Sequence, residues 1–427
     1  MLLTAVLALL VLIGLGLPVA AALAILGLLL AVIYSSAPLH LALPDIVWGN
    51  STEFLLVAIP MFVFMGEILL RAGVARRMYE SLTRWIGWLP GGLMHSNIGA
   101  CALFAATSGS SVATAATVGT VAVPEIEKRG YNERLFLGTL TSGGTLGILI
   151  PPSINLIIFG LLTNTSVSAL YLAGFLPGLL LAGIFSLTVI ALCVLRPSWG
   201  GQPVRYSWRD RLDSLAGLLP PLLIFLVVVG SIYAGLATPT EAAALGVVIS
   251  LLLATATRQL NVEMLRQAVE GTMRTTAMVM LIIVAAMFLN FVLGIIGLTQ
   301  TLTTFIADLG WTPLQTLAAI IVFYLVLGCF LETLSMLITT TPLIAPIVVA
   351  LGYDPVWFGI VLMVLLEMAL LTPPIGINLY VVQSVRGAGR LKDVVYGTMP
   401  FLATMLVMVV VLIAWPEIAL WLPGQFD

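Results

Sequence analysis

Charge is the scarcest property of this 427-residue chain: Asp, Glu, Lys and Arg make up 8% of it, against 61% hydrophobic residues. A soluble domain carries about a quarter charged residues, so a water-soluble globular fold is excluded and the chain reads as one folded within a bilayer. Histidine is nearly missing, and His40 and His95 have no partner at metal-ligand spacing. The three cysteines, Cys101, Cys193 and Cys329, stand far apart in apolar segments. They support neither a disulfide framework nor a metal framework and read as small buried hydrophobes. No phosphate-binding loop occurs, so ATP hydrolysis by this chain finds no support. Nucleic-acid binding finds no support. No nucleophile–base pair stands in a core span, which argues against an intramembrane protease or acyltransferase. The first apolar segment, 2–33, has no basic start and is too long for a signal-peptide core.

What is abundant is apolar runs of about 17–25 residues, the length that spans a bilayer. Two of them are broken by a proline pair, Pro151-Pro152 in GTLGILIPPSINLIIFG and Pro373-Pro374 in MALLTPPIGINLYVV, 222 residues apart. The same offset joins Pro124 to Pro346, Gly130 to Gly352 and Tyr131 to Tyr353. An offset of 221 joins Gly14-Leu15, Pro18 and Ala21-Ala22 to Gly235-Leu236, Pro239 and Ala242-Ala243. One of 223 joins Trp88 and Pro90 to Trp311 and Pro313. The chain therefore reads as a duplication with a broken hydrophobic helix at the same place in each half, which points to a binding site at the repeat interface of a membrane transporter.

All 17 Lys and Arg fall in five clusters: 71–84, 128–134, 196–211, 258–274 and 386–392. Placing all five in the cytoplasm forces the stretch 93–124 to enter and leave on one side. Its 32 residues are too few for two full crossings, which need about 40. It is expected to be a re-entrant hairpin. Its counterpart, 314–350, has uncharged or acidic flanks and is expected to open to the outside. Nine crossings remain, near 2–33, 53–70, 135–163, 169–195, 216–235, 241–257, 275–298, 357–383 and 394–415. The expected fold is an all-α integral membrane protein of two inverted repeats, 1–196 and 215–427, joined by a cytoplasmic linker at 197–214. The amino terminus is expected inside and the carboxyl terminus outside. Residues 73–89, with weaker copy 297–311, read as an interfacial amphipathic helix.

Chemistry is expected where backbone leaves the helix inside the membrane, which is tolerated only beside protein or a watery cavity. Four places qualify: the hairpin tip Thr107 to Ser111, the break from Ser142 through Thr145 and Pro151-Pro152 to Asn155, the tip Glu332 to Ser335 with Thr339 to Pro342 after it, and the break Thr372-Pro373-Pro374 with Gly376 and Asn378. Proline frees a carbonyl one turn earlier and glycine admits a ligand to bare backbone. Such oxygens suit a small alkali cation, and half-helix N-termini suit an anionic solute. The solute is expected against Ser111, Pro152, Asn155, Thr340, Gly376 and Asn378.

Blander readings stand beside these. A proline pair can be a kink, and small residues can simply let helices pack closely. Asn155 and Asn378 can serve as interhelical hydrogen bonds. Glu241 follows Thr238 and Pro239 in a helix-capping pattern, and Glu67 pairs with Arg71 at i,i+4. Glu332 sits at a hairpin tip and is expected in or beside a cation site; the role of Glu367 stays open. No Lys or Arg stands at mid-membrane to neutralise an anion.

The segments IPMFVFMGEILLRAG, LFAATSGSSVATAATVGTVAVPEIEKRGY, GGTLGILIPPSINLIIFG, ATPTEAAALG, FLETLSMLITTTPLIAP and EMALLTPPIGINL resemble the large membrane subunit of tripartite ATP-independent periplasmic (TRAP) transporters. The resemblance implies a transporter, not an enzyme, of the ion-transporter-superfamily fold. It implies an elevator in which hairpins and broken helices slide against a scaffold, coupled to sodium (Na+). It further implies a separate small four-helix membrane subunit, a periplasmic binding protein that delivers an organic-acid solute, and a bacterial inner membrane whose lipid surrounds the chain. The implied sodium sites are Ser108, Gly109, Ser110 and Ser111 with Gly144 and Thr145, and Gly328, Glu332 and Thr333 with Thr372 and Pro373. Many relatives carry Asp where this chain has Glu332. A stand-alone dicarboxylate symporter of related fold is the alternative.

Overall fold

A computed structural model describes residues 1–202 and 206–426; Pro203, Val204 and Arg205 of the linker and Asp427 lie outside the described residues. The fold is all-α, with no strand among the described residues beyond an isolated bridge between Tyr131 and Gly200. Inside lipid a backbone must satisfy its own hydrogen bonds, and the helix does so within one segment. Among the described residues seven helices are long and apolar enough to cross a membrane: Phe54–Arg71, Val167–Leu195, Trp208–Tyr233, Pro239–Ala256, Val262–Ile295, Thr333–Ala350 and Leu391–Ala414.

Helix starts are written in the sequence. Thr238 caps Pro239–Ala256 in a reciprocal box with Glu241, as the Thr-Pro-Thr-Glu pattern predicts. Thr312 does the same with Gln315 for Pro313–Leu327, and Asp354 caps Pro355–Ala369. In each case proline follows the cap, where its missing N–H costs nothing.

Three expectations need correction. The crossing expected at 2–33 is two helices, Leu2–Gly14 and Val19–Tyr34, separated by a turn with Gly16 at φ 73° and Pro18 before the second helix. The 221-residue offset explains this: the turn matches the one from Gly235 to Pro239, which separates Trp208–Tyr233 from Pro239–Ala256. The helix at Val74–Ile86 is amphipathic, but its apolar face is packed on protein rather than laid on lipid. Val74, Ala75, Met78 and Tyr79 are buried, Ser81 Oγ donates to Ser214 O at 2.7 Å, and Trp85 Nε1 donates to Arg211 O at 3.1 Å. The crossing expected at 275–298 is the end of a single 34-residue helix, Val262–Ile295.

The helices pack in two groups. Val19–Tyr34, Ala58–Arg71, Val74–Ile86, Trp208–Tyr233, Pro239–Ala256 and Val262–Ile295 lie against one another as a frame of mostly unbroken helices. Within it Glu67 pairs with Arg71, as expected, close against Gly271, where a Cβ would stand 2.7 Å from the Glu67 carboxyl carbon. The second group holds two helical hairpins, Leu93–Ser108 with Ser111–Ala122 and Pro313–Leu327 with Thr333–Ala350. It also holds two broken helices, Glu133–Thr145 with Ile154–Thr163 and Pro355–Ala369 with Ile377–Arg386.

The halves interlace inside this second group. Ile154–Thr163, from the first half, packs on Thr333–Ala350 of the second hairpin. Ile377–Arg386, from the second half, packs on Ser111–Ala122 of the first, where a Cβ on Gly119 would stand 3.3 Å from Val385. Glu133–Thr145 and Leu391–Ala414 cross backbone to backbone at Gly138 and Gly397; any side chain there collides with the Gly397 or Arg134 carbonyl. At one end of this crossing Arg386 bridges Glu133 at 2.6 Å and Arg134 bridges Asp393 at 2.9 Å.

Candidate functional site

The tip of the first hairpin is built by small residues. Gly109 turns the chain at φ 60°, and Ser110 caps Ser111–Ala122 by accepting from Ala113 N at 3.3 Å. The Ser108 and Thr114 hydroxyls are 3.1 Å apart, and Thr114 donates to Ser110 O at 2.7 Å. Bare glycine lets this tip sit against the first broken helix. A Cβ on Gly109 would lie 3.0 Å from Pro152 O, and one on Gly147 would lie 3.2 Å from Ser111 N. Ser111 Oγ reaches Thr145 O at 3.4 Å. Ser108, Gly109, Ser110, Ser111, Thr145 and Pro152 thus converge. Gly144 faces elsewhere, toward Ala115, with the Asn378 amide 3.3 Å from where its Cβ would be.

The first break, between Thr145 and Ile154, is buried throughout, and its Pro151-Pro152 bond is cis. Hydroxyls meet part of its freed backbone: Ser153 Oγ donates to Ile148 O at 2.5 Å, and Tyr171 OH donates to Ser153 O at 3.4 Å. Asn155 lies buried in the first turn after the break. The second break is different in its surroundings. Its Pro373-Pro374 bond is also cis, but Pro373, Pro374 and Ile375 are exposed.

The second hairpin tip meets the second broken helix through Gly328, where a Cβ would stand 2.8 Å from the Ala369 Cβ. Glu332 caps Thr333–Ala350. Its Oε1 accepts from Leu334 N and Thr333 Oγ1, both at 3.1 Å, and its Oε2 accepts from Ser335 N at 3.1 Å and Ser335 Oγ at 3.0 Å. Glu332 and Ser110, aligned by the 222-residue offset, therefore hold the same post at the two tips. Thr372 donates to Met368 O at 2.7 Å, and Gly376 opens Ile377–Arg386. Thr340 is buried with its hydroxyl turned into the hairpin, 2.6 Å from Tyr324 OH and 2.7 Å from Met336 O.

The two broken helices meet between the tips. Thr145 Oγ1 lies 3.4 Å from Glu367 Oε2, and Asn378 Nδ2 donates to Thr141 O at 3.3 Å. Glu367 is 0% exposed. Ser142 Oγ, Glu367 Oε1 and Asn378 Oδ1 are buried with no hydrogen-bond partner among the described residues. Among those residues no group of three His, Cys, Asp or Glu could hold a metal. The donors that do converge are hydroxyls, backbone carbonyls and one carboxylate, a set that fits a hard monovalent cation.

A second feature was not singled out by sequence reasoning. Tyr79 OH donates to Asn97 Oδ1 at 2.9 Å and Asn97 Nδ2 donates to Thr139 Oγ1 at 2.9 Å, a buried chain joining three helices. The lone amide in the apolar run MHSNIGACALF was its only signal.

Residues 6–418 match the family described as "Tripartite ATP-independent periplasmic transporter, DctM component". The chain is 35% identical over 376 residues to the C4-dicarboxylate TRAP transporter large permease protein DctM of Pseudomonas aeruginosa, covering 88% of this chain and 87% of that one. It is 31% identical over 412 residues to the sialic acid TRAP transporter large permease protein SiaM of Vibrio cholerae, covering 96% of each. Its fold is similar to the crystal structure of the YdaH transporter of Alcanivorax borkumensis, with a TM-score of 0.66 at 16% identity over 96% of this chain and 98% of that one. The chain belongs to the DctM component family of tripartite ATP-independent periplasmic transporters, as a transport permease rather than an enzyme.

Proposed function

We propose that the chain is the large permease of a sodium-coupled importer for an organic acid, working in a bacterial inner membrane with a small four-helix subunit and a periplasmic binding protein. The carrying observation is the seating of the first hairpin tip on the first break, where Gly109 leaves room for Pro152 O and Ser111 meets Thr145 O. In this reading one sodium ion is held by Ser108, Gly109, Ser110, Ser111 and Thr145, with Gly144, which faces Ala115, beside them at the same helix end. A second is held near Gly328, Thr333, Thr372 and Pro373, with Glu332 fixing the tip that presents them. The solute sits between the breaks, near Ser111, Pro152, Asn155, Gly376 and Asn378, with its negative charge toward the half-helix starts at Ile154 and Ile377. Thr340 stands further off, since its hydroxyl is engaged within the hairpin.

The group of hairpins and broken helices slides as a unit against the frame, which is the elevator. The five basic clusters lie in the cytoplasm and the carboxyl terminus in the periplasm. The relatives are named for different solutes, among them C4-dicarboxylate, sialic acid, isethionate and ectoine, which supports an organic acid and favours no single one.

The test is uptake into proteoliposomes that hold both membrane subunits, with purified binding protein and a panel of radiolabelled organic acids. Accumulation of one acid that needs both the binding protein and an inward sodium gradient is expected. Uptake by this chain alone, without binding protein, would instead favour a stand-alone symporter. Uptake indifferent to sodium would remove the coupling.

A further inference from the structure

The proposed first sodium site is made of neutral groups, yet the chain buries one full carboxylate directly beside it. Glu367 is 0% exposed, and among the described residues it is the one buried member of the charged types Asp, Glu, Lys and Arg. Its Oε2 stands 3.4 Å from Thr145 Oγ1, and its Oε1 has no partner among the described residues. No salt bridge to it occurs among them either. The Thr145 hydroxyl already gives its hydrogen to Ser142 O at 2.8 Å. That one hydrogen is contested, since Glu367 Oε2 lies within reach at the longer 3.4 Å, so Thr145 offers the buried carboxyl only a weak hydrogen bond and no basic side chain among the described residues balances its charge. On its backbone side the same threonine receives Ser111 from the hairpin tip, through Thr145 O.

Resting on the sodium-coupled reading above, we propose that Glu367 is the countercharge of the cation held at the first hairpin: a positioning residue that fixes ion affinity through Thr145. An ion bound by serine and threonine hydroxyls and backbone carbonyls brings a unit charge into a low-dielectric interior, and dipoles alone offset that poorly. A carboxylate buried without a basic partner has the converse deficit. Each deficit answers the other. The location fits as well, because 145 and 367 differ by 222, the repeat offset. Two repeat-equivalent positions touch only on the axis relating the halves, so a carboxylate on the second half's broken helix serves an ion bound by the first half's hairpin. In the other half the equivalent position is Thr145 itself, an uncharged ligand, so the chain carries one such countercharge rather than two.

The measurement is sodium-dependent thermal stabilisation of the purified full-length chain, titrated with sodium chloride against potassium chloride at constant ionic strength. It is run on the wild type, Glu367→Gln and Glu367→Asp. Glu367→Gln keeps the shape and removes the charge, so its half-saturating sodium concentration is expected to rise on the order of tenfold or more. Glu367→Asp keeps the charge and is expected to stay within about threefold of the wild type. A wild-type midpoint for Glu367→Gln overturns the countercharge role. So does Glu367→Asp shifting about tenfold or more, since side-chain length rather than charge would then matter; that arm remains decisive if the glutamine variant does not fold. A wild type that sodium does not stabilise overturns the sodium reading as a whole, and this role with it.

Discussion

At the scale of single residues, the acidic side chains separate by what their oxygens already hold. Glu241 closes a capping box on Thr238, with Oε2 2.8 Å from Thr238 N, and a Thr-Pro-Thr-Glu string announces this without any structure. Glu332 was expected in or beside a cation site because it stands at a hairpin tip. Its geometry is that of a cap, with four donors from its own helix start. Sequence places a residue at a tip but does not say which way its carboxylate folds back. Glu332→Ala is expected to destabilise the tip by about 1 kcal/mol, read as a lower melting temperature in detergent, with Glu332→Gln recovering part of the loss. No change in melting temperature for Glu332→Ala would mean the cap contributes nothing. The Thr145–Glu367 contact was in principle legible, since the offset of 222 was already visible in the proline pairs. The two residues differ in chemistry, and similarity of type is what makes a repeat easy to see.

At the scale of elements, the interrupted helices were readable because proline pairs and glycines interrupt apolar runs that otherwise have no reason to stop. The turn inside 93–124 was readable too, since the Thr107 to Ser111 tip of small residues parts Leu93–Ser108 from Ser111–Ala122. The helix boundary inside 2–33 was missed although Gly14, Gly16 and Pro18 mark it. An unbroken hydrophobic span is the stronger pattern to the eye than the turn inside it. The amphipathic helix at Val74–Ile86 shows the complementary limit, for periodicity reveals an apolar face but not whether lipid or protein covers it. Packing is similarly silent in one sequence, and the Gly138–Gly397 crossing had no signal beyond two glycines among 39. Replacing Gly138 with Val forces a side chain into the Gly397 carbonyl. The expected cost is about 3 kcal/mol or more, seen as loss of the monodisperse peak on size exclusion. A well-behaved Gly138→Val protein would mean that these helices can part without harm.

At the scale of the whole molecule, the distribution of 17 basic residues predicts the side of the membrane on which each loop lies. Single cysteines replacing Arg84 and Lys128, in a chain freed of its own three, are expected to react with an impermeant maleimide only from the cytoplasmic side. Labelling of the two from opposite faces would mean that 93–124 crosses the bilayer and that the hairpin is misplaced. Within the assembled chain the two breaks are not equivalent: the first is sealed by its neighbours, while Pro373, Pro374 and Ile375 of the second are open.

The interlacing of the halves has an outcome for synthesis. Ile154–Thr163 finds its packing partner in Thr333–Ala350, which leaves the ribosome long afterwards. During translation the first half must wait with Ile154–Thr163 covered only by first-half neighbours such as Val167–Leu195 and Ala58–Arg71, its face for the second hairpin still bare. Two fragments severed at the linker would therefore mature only when made together in the same cell, each acting as the other's missing template.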